Sequence, residues 1–134
     1  MSTASDAARV ALELKAIGVA ATAAVNRIEA QHALLLETRV KANASGRPGP
    51  RVITGDYRRS IAATRGGAVG FGGVLGGWTV GTNAPQGPRL EYGFVGQDRA
   101  GRHYNQPAFP HFGPAVPGVE ASLLAALHAL AASL

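Results

Sequence analysis

Residues able to do acid–base, metal or nucleophilic chemistry are few and scattered in this sequence. Glu91, Asp98 and Glu120 are the carboxylates of its C-terminal half. A glycosidase needs two carboxylates flanking one bond, and nothing in these spacings brings two into one cleft. His103 and His111 flank a proline tract and, with Glu91 or Asp98, offer donor types that zinc accepts, but the intervals match neither a helix pair nor a finger. Ser60 and Ser122 lack the G-x-S-x-G turn that exposes a serine nucleophile. Ser60 is expected instead to satisfy backbone groups of its own short helix. His32, alone near a helix stripe, reads as a packed or hydrogen-bonded residue. The tract GGAVGFGGVLGG, residues 66–77, contains no GxGxxG, and the chain has no GxxxxGK[ST], so hairpin turns explain its glycines better than a phosphate cradle. With no cysteine in the chain, thiolate zinc sites, disulfides and a cysteine nucleophile are excluded. The sequence therefore predicts no enzyme: no catalytic residue, no metal and no cofactor.

The elements that hold these residues form one domain of 134 residues. From about Ser5 to Val40, apolar residues recur at Val10, Leu14, Ile17, Ala21, Ala24, Ile28 and Leu35, the spacing of one long amphipathic helix. At 1.5 Å per residue it would reach about 50 Å, longer than a small domain is wide, which predicts packing against a neighbouring subunit. Gly18 inside it marks a bend or a close helix crossing. The long helix is assigned to 1–42 and a loop to 43–55, where ASGRPGPRVITG collects glycine and proline. Residues 56–113 are expected to hold a short helix from Asp56 to Ile61, capped by Thr54, and a small sheet. Strands are expected near Ile61–Thr64, Ala68–Phe71 and Trp78–Thr82. A helical turn should then end at Gly93, and FVGQDRAGRHY should form a hairpin. A C-terminal helix occupies 114–134 and buries Val119, Leu123, Leu124, Leu127 and Leu130. The fold class read from this pattern is α+β: a long N-terminal helix, a small antiparallel sheet with a short helix, and a C-terminal helix packed on the sheet.

No stretch approaches the roughly 20 apolar residues of a membrane span. The N-terminus lacks the basic start and apolar run of a signal peptide, so synthesis in a cytoplasm is expected. The formal charge is +5. It is concentrated between residues 39 and 65, where Arg39, Lys41, Arg47, Arg51, Arg58, Arg59 and Arg65 face the single carboxylate of Asp56, a local excess of +6. Such a belt can contact phosphates or an acidic protein surface. Without interleaved aromatics, a solvated loop explains it more simply.

Three stretches give the chain a resemblance to the tail-completion, or head–tail joining, family of tailed bacteriophages. ITGDYRRSI, residues 53–61, is similar to the family's T-G-x-[LY]-x-x-S-[IL] segment through Thr54, Gly55, Tyr57, Ser60 and Ile61. NAPQGPRLEYG, residues 83–93, resembles its turn ending in [LV]-E-[FY]-G through Leu90, Glu91, Tyr92 and Gly93. GRHYNQPAFPHFGPAV, residues 101–116, resembles its Q-P-x-x-P-h-x-x-P-A segment through Gln106, Pro107, Pro110, Pro114 and Ala115. Two features depart from the pattern: Phe94-Val95 after the glycine, and the richness of the 66–77 glycine tract. The resemblance implies a structural virion protein, made in the host cytoplasm, whose copies form a ring of six at the head–tail junction around the DNA channel. It would touch other neck, connector and tail proteins, with no membrane partner. Leu90 and Tyr92 would pack inside while Glu91 caps backbone groups or pairs with an arginine. On local charge alone, Arg47, Arg51, Arg58, Arg59 and Arg65 are expected to face the acidic surface of a connector partner or the DNA channel, with non-specific contact to genomic DNA. The alternative is a small basic nucleic-acid-binding protein.

Overall fold

A computed structural model describes residues 3–66 and 70–134. In chain order the elements are α1 (Thr3–Lys15), α2 (Val19–Asn43), α3 (Asp56–Ser60), β1 (Ala62–Arg65), β2 (Phe71–Leu75), β3 (Trp78–Thr82), α4 (Gly87–Tyr92), β4 (Phe94–Gln97), β5 (His103–Gln106) and α5 (Val116–Ala132). The fold is α+β, with a long N-terminal helix, small antiparallel sheets and a C-terminal helix. No helix among the described residues is long and apolar enough to cross a membrane.

The N-terminal helix is not the single rod that its periodicity predicts. It breaks at Gly18, where φ is +151°, and α1 returns along α2. Lys15 Nζ lies 3.6 Å from Glu29 Oε1, whereas a continuous helix would separate the two Cα atoms by about 21 Å. The Thr22 hydroxyl ties the corner by donating to Gly18 O at 3.0 Å. Ile17, expected on the buried stripe, is exposed at this corner. The inner face of α2 is Ala21, Val25, Glu29, Ala33, Leu36 and Val40; Ala21 lies there as expected, while the expected Ile28 and Leu35 flank that face by one residue and pack partly buried against the core. Alanine fills so much of the sequence that either phase gives an apolar stripe. The fold-back brings the domain's own α1 onto α2, so helix length no longer argues for a partner.

Against α1 and α2 lies α5, which buries Val119, Leu123 and Leu127, with Leu124 and Leu130 partly buried beside them. At its start, Val116 packs near Gly73 of β2 and joins the helix to the sheet. Full burial of Leu36, Leu123, Leu127 and Ile61 contributes about 1.5–3 kcal/mol each. His32 bridges two helices, its Nδ1 2.8 Å from Ile28 O and its Nε2 3.1 Å from Ser122 Oγ.

The first sheet is antiparallel in the order β1-β3-β2, with Ala63 opposite Val80 and Leu75 opposite Trp78. Its central strand turns Val80 into the core. The expected strand Ala68–Phe71 falls partly on residues 67–69, outside the described residues; β2 begins at Phe71. The turn from β2 to β3 is Gly76-Gly77, with Gly76 at φ +59° against the Glu29 carboxylate. The second sheet is the hairpin β4–β5, registered from Phe94 opposite Gln106 to Gln97 opposite His103. Its tip is closed by Asp98, which accepts from the backbone N–H groups of Ala100 and Arg102 at 2.9 Å each.

Candidate functional site

Three segments distant in sequence meet at one point: Tyr57 from α3, Glu91 from α4, and His111 from the proline tract before α5. His111 is completely buried. Its Nδ1 lies 2.9 Å from Phe109 O, a pure acceptor, so Nδ1 carries the proton. Glu91 Oε1 lies 3.2 Å from the same nitrogen, and Nε2 shares a 2.5 Å hydrogen bond with the Tyr57 hydroxyl. The two rings meet edge to face with centroids 5.5 Å apart.

Glu91, 5% exposed, supplies the other half of the junction. Its Oε1 accepts from the backbone N–H groups of His111 at 3.0 Å and Phe112 at 2.8 Å, and its Oε2 from Gly113 at 3.0 Å. These groups open the turn whose Phe112 carbonyl receives Ala115 and Val116 N–H at the head of α5. An anionic carboxylate suits this end of a helix. Glu91 thus caps backbone, one of the two roles expected of it; it pairs with no arginine.

The expected packing of its neighbours is corrected. Tyr92 is 73% exposed and touches Phe71 only edge-on, with centroids 5.7 Å apart, while Leu90 is half-buried. In a helix as short as α4, one side chain takes the inward direction. The orphan donors of residues 111–113 claim it for Glu91.

The proline tract is strapped to α4 and to the end of α2 at further points. Phe109 N–H donates to Leu90 O at 2.6 Å, Gln106 Nε2 to Arg89 O at 3.2 Å, and Asn43 Nδ2 from the end of α2 to His111 O at 3.1 Å. Pro107 and Pro110 are exposed, so they set the path of the tract without filling the core. Gly93 sits at φ +83° and ψ 171°, a region essentially restricted to glycine, and a Cβ there would lie 2.8 Å from Gln106 O. Gly93→Ala is expected to lower unfolding free energy by about 2 kcal/mol, read from urea denaturation.

At the start of α3, Gly55 holds the N-cap position at φ +87°, and Thr54 Oγ1 accepts from Asp56 N–H at 3.2 Å from one residue further out. Ser60 does bond backbone, its hydroxyl donating to Tyr57 O, and it also meets Thr82 Oγ1 at 2.6 Å.

Tyr57, His111 and Glu91 are residue types that could move protons, but each is already spent. Burial, and after it the negative charge of Glu91, push the Tyr57 hydroxyl well above the ordinary phenol range, the opposite of an activated nucleophile. Because the folded-state pKa is raised, this stabilising contribution is whole below the ordinary phenol pKa of about 10 and is lost as pH climbs above it. Between about pH 10 and 11, wild type should lose stability faster than Tyr57→Phe, by less than the single-proton slope of about 1.4 kcal/mol per pH unit because Tyr57 is only half-buried. Urea unfolding across that range checks the difference.

The outer side of this junction is a groove of about 750 Å³. Val52, Ile53, Leu90 and Phe109 give it an apolar lining, and Arg47, Arg51 and Arg58 line it too. Ile53 is 93% exposed. The arginine set singled out in the sequence is thereby divided. Arg47, Arg51 and Arg58 come together; Arg59 is exposed and paired with Asp56; Arg65 lines a separate small pocket with Lys15 and Glu29. Sequence reasoning missed His111 and Asn43 as organisers of the site. The signal for His111 was one polar ring inside the otherwise apolar run AFPHFGP.

Among the described residues, His, Asp and Glu nowhere gather in threes in a metal-binding arrangement. Compared with protein-family models, curated proteins and solved structures, the chain matches none of them.

Proposed function

We propose that the protein is a structural subunit of the neck of a tailed bacteriophage, one of a ring of copies that joins or completes the tail at the head–tail interface around the DNA channel. The observation that supports this reading is the meeting of Tyr57, Glu91 and His111. Each lies in one of the three stretches that carry the resemblance, and those stretches are separated in sequence by the three-stranded sheet and by β4 with the tip of its hairpin. Tyr57 and Glu91 are residues of the resembling pattern, and they meet through His111, which lies in the third stretch without being one of its matched positions. Their shared role is to fix the backbone of the proline tract and the head of α5, which is the work of a scaffold.

The surface fits a subunit. Val19, Val95, Tyr92, Val74 and Leu12 are all more than two-thirds exposed. A closed cyclic ring uses two different faces of each copy, and these side chains are apolar surface that such faces can cover. Particles made without this protein should accumulate as heads and tails that fail to join, and adding the purified chain should restore joining. Normal joining in its absence would contradict the proposal.

A further inference from the structure

We infer that the groove beside the Tyr57–His111–Glu91 junction receives an extended segment of a different protein, carrying carboxylates on both sides of an aliphatic side chain. The inference rests on the neck reading only for where such a protein would be met.

Charge complementarity carries the argument. Among the described residues, no carboxylate lies within ion-pair distance of Arg47, Arg51 or Arg58. Two of them are nevertheless held in place by neutral acceptors. Arg47 Nη1 donates to Gly49 O at 3.0 Å and its guanidinium lies 3.7 Å from the centroid of the Phe109 ring, while Arg58 Nη1 donates to Ser45 Oγ at 2.8 Å. Anchored, uncompensated guanidinium groups beside an exposed isoleucine favour an anionic ligand with an apolar anchor, because little further ordering is needed on binding.

The same chemistry selects a peptide over nucleic acid. A stacked base would need an open aromatic face, and of the two rings lining the groove Phe109 is covered by the guanidinium of Arg47 and Tyr57 meets His111 edge to face. Val52, Ile53 and Leu90 add aliphatic surface, and the one carboxylate in the lining, Asp56, is paired with Arg59.

A second copy of the chain is a poor donor. Asp6 and Glu13 pair with Arg9, Glu29 with Lys15, Glu37 with Lys41, Asp56 with Arg59 and Asp98 with Arg102, while Glu91 is buried on backbone. Among the side-chain carboxylates of the described residues only Glu120 is left outside these pairs, so the acidic segment belongs to another protein.

The test is fluorescence anisotropy of the full chain with three labelled probes: an end-blocked hexapeptide of alternating glutamate and leucine, its glutamine–leucine counterpart, and a short DNA duplex of mixed sequence. The glutamate peptide should bind about tenfold more tightly than the glutamine peptide, with affinity falling as salt is raised. Arg51→Glu and Ile53→Asp, both at exposed loop positions, should each weaken it about tenfold while leaving the melting temperature unchanged. No binding of the glutamate peptide, equal binding of both peptides, or indifference to both substitutions would overturn the inference. Tighter binding of the duplex, lost in the same variants, would overturn it in favour of a nucleic-acid surface. Failure here with the protein present in phage particles condemns the groove alone; peptide binding by a protein absent from particles condemns the neck reading alone.

Discussion

Glu91→Ala is expected to lower the unfolding free energy by about 3–5 kcal/mol, the range for breaking a buried charged interaction by removing one partner. The carboxylate accepts three backbone N–H bonds, two of them fully buried, from residues 111–113. Alanine leaves those donors without an acceptor in a site closed by Tyr57, His111 and Phe112. The loss is smaller than three separate bonds would suggest, because neighbouring deletions are not additive and the shortened side chain admits some water. A domain of this kind has only about 5–15 kcal/mol in total, so the variant sits near the edge of folding. Glu91→Gln separates charge from shape. One amide oxygen can still serve His111 and Phe112, but the amino group faces Gly113 N–H, donor against donor. It should cost about half as much. Urea denaturation of both variants measures this, and a Glu91→Ala cost below about 1 kcal/mol would mean that the carboxylate does not organise the tract.

His111→Leu keeps much of the volume and removes the polar connections, and about 2–4 kcal/mol of stability should go with them. Phe109 O loses its donor, the Tyr57 hydroxyl loses its partner, and the edge contact between the two rings disappears. Combined with Tyr57→Phe, the losses should fall short of additivity by about 1 kcal/mol, since the second substitution removes a hydroxyl already without its partner. Strict additivity would show that the two residues act independently despite their 2.5 Å separation.

The parts of the fold that were legible in sequence are those with local causes. Turn formers located β3 and the β4–β5 hairpin, and Pro114 with Leu123 and Leu127 located α5 to within two residues, whereas β2 runs from Phe71 to Leu75, beyond the strand expected to end at Phe71. The bend at Gly18 was visible only as a glycine: the three-and-four spacing runs on through Ile17 and Ala21, so periodicity sees no interruption. The phase of α2 was lost for a related reason, since alanine on several faces fits either register.

The site was half legible. The sequence singled out Leu90 to Gly93 and gave Glu91 a capping role, but it placed Tyr92 inside by hydrophobicity. What decides the matter is the need of three N–H groups some 20 residues away for an acceptor, a demand no local pattern carries. His111 was weighed as a metal ligand because its donor atoms are visible in sequence and its partners Tyr57 and Phe109 are not.

Electron cryomicroscopy of intact particles at the junction of head and tail tests the central claim most directly. A closed ring, expected to be of six copies, should surround the DNA channel, with the Val52–Ile53 loop of each copy against a neighbouring protein. Purified particles whose junction contains no density for this fold would contradict it.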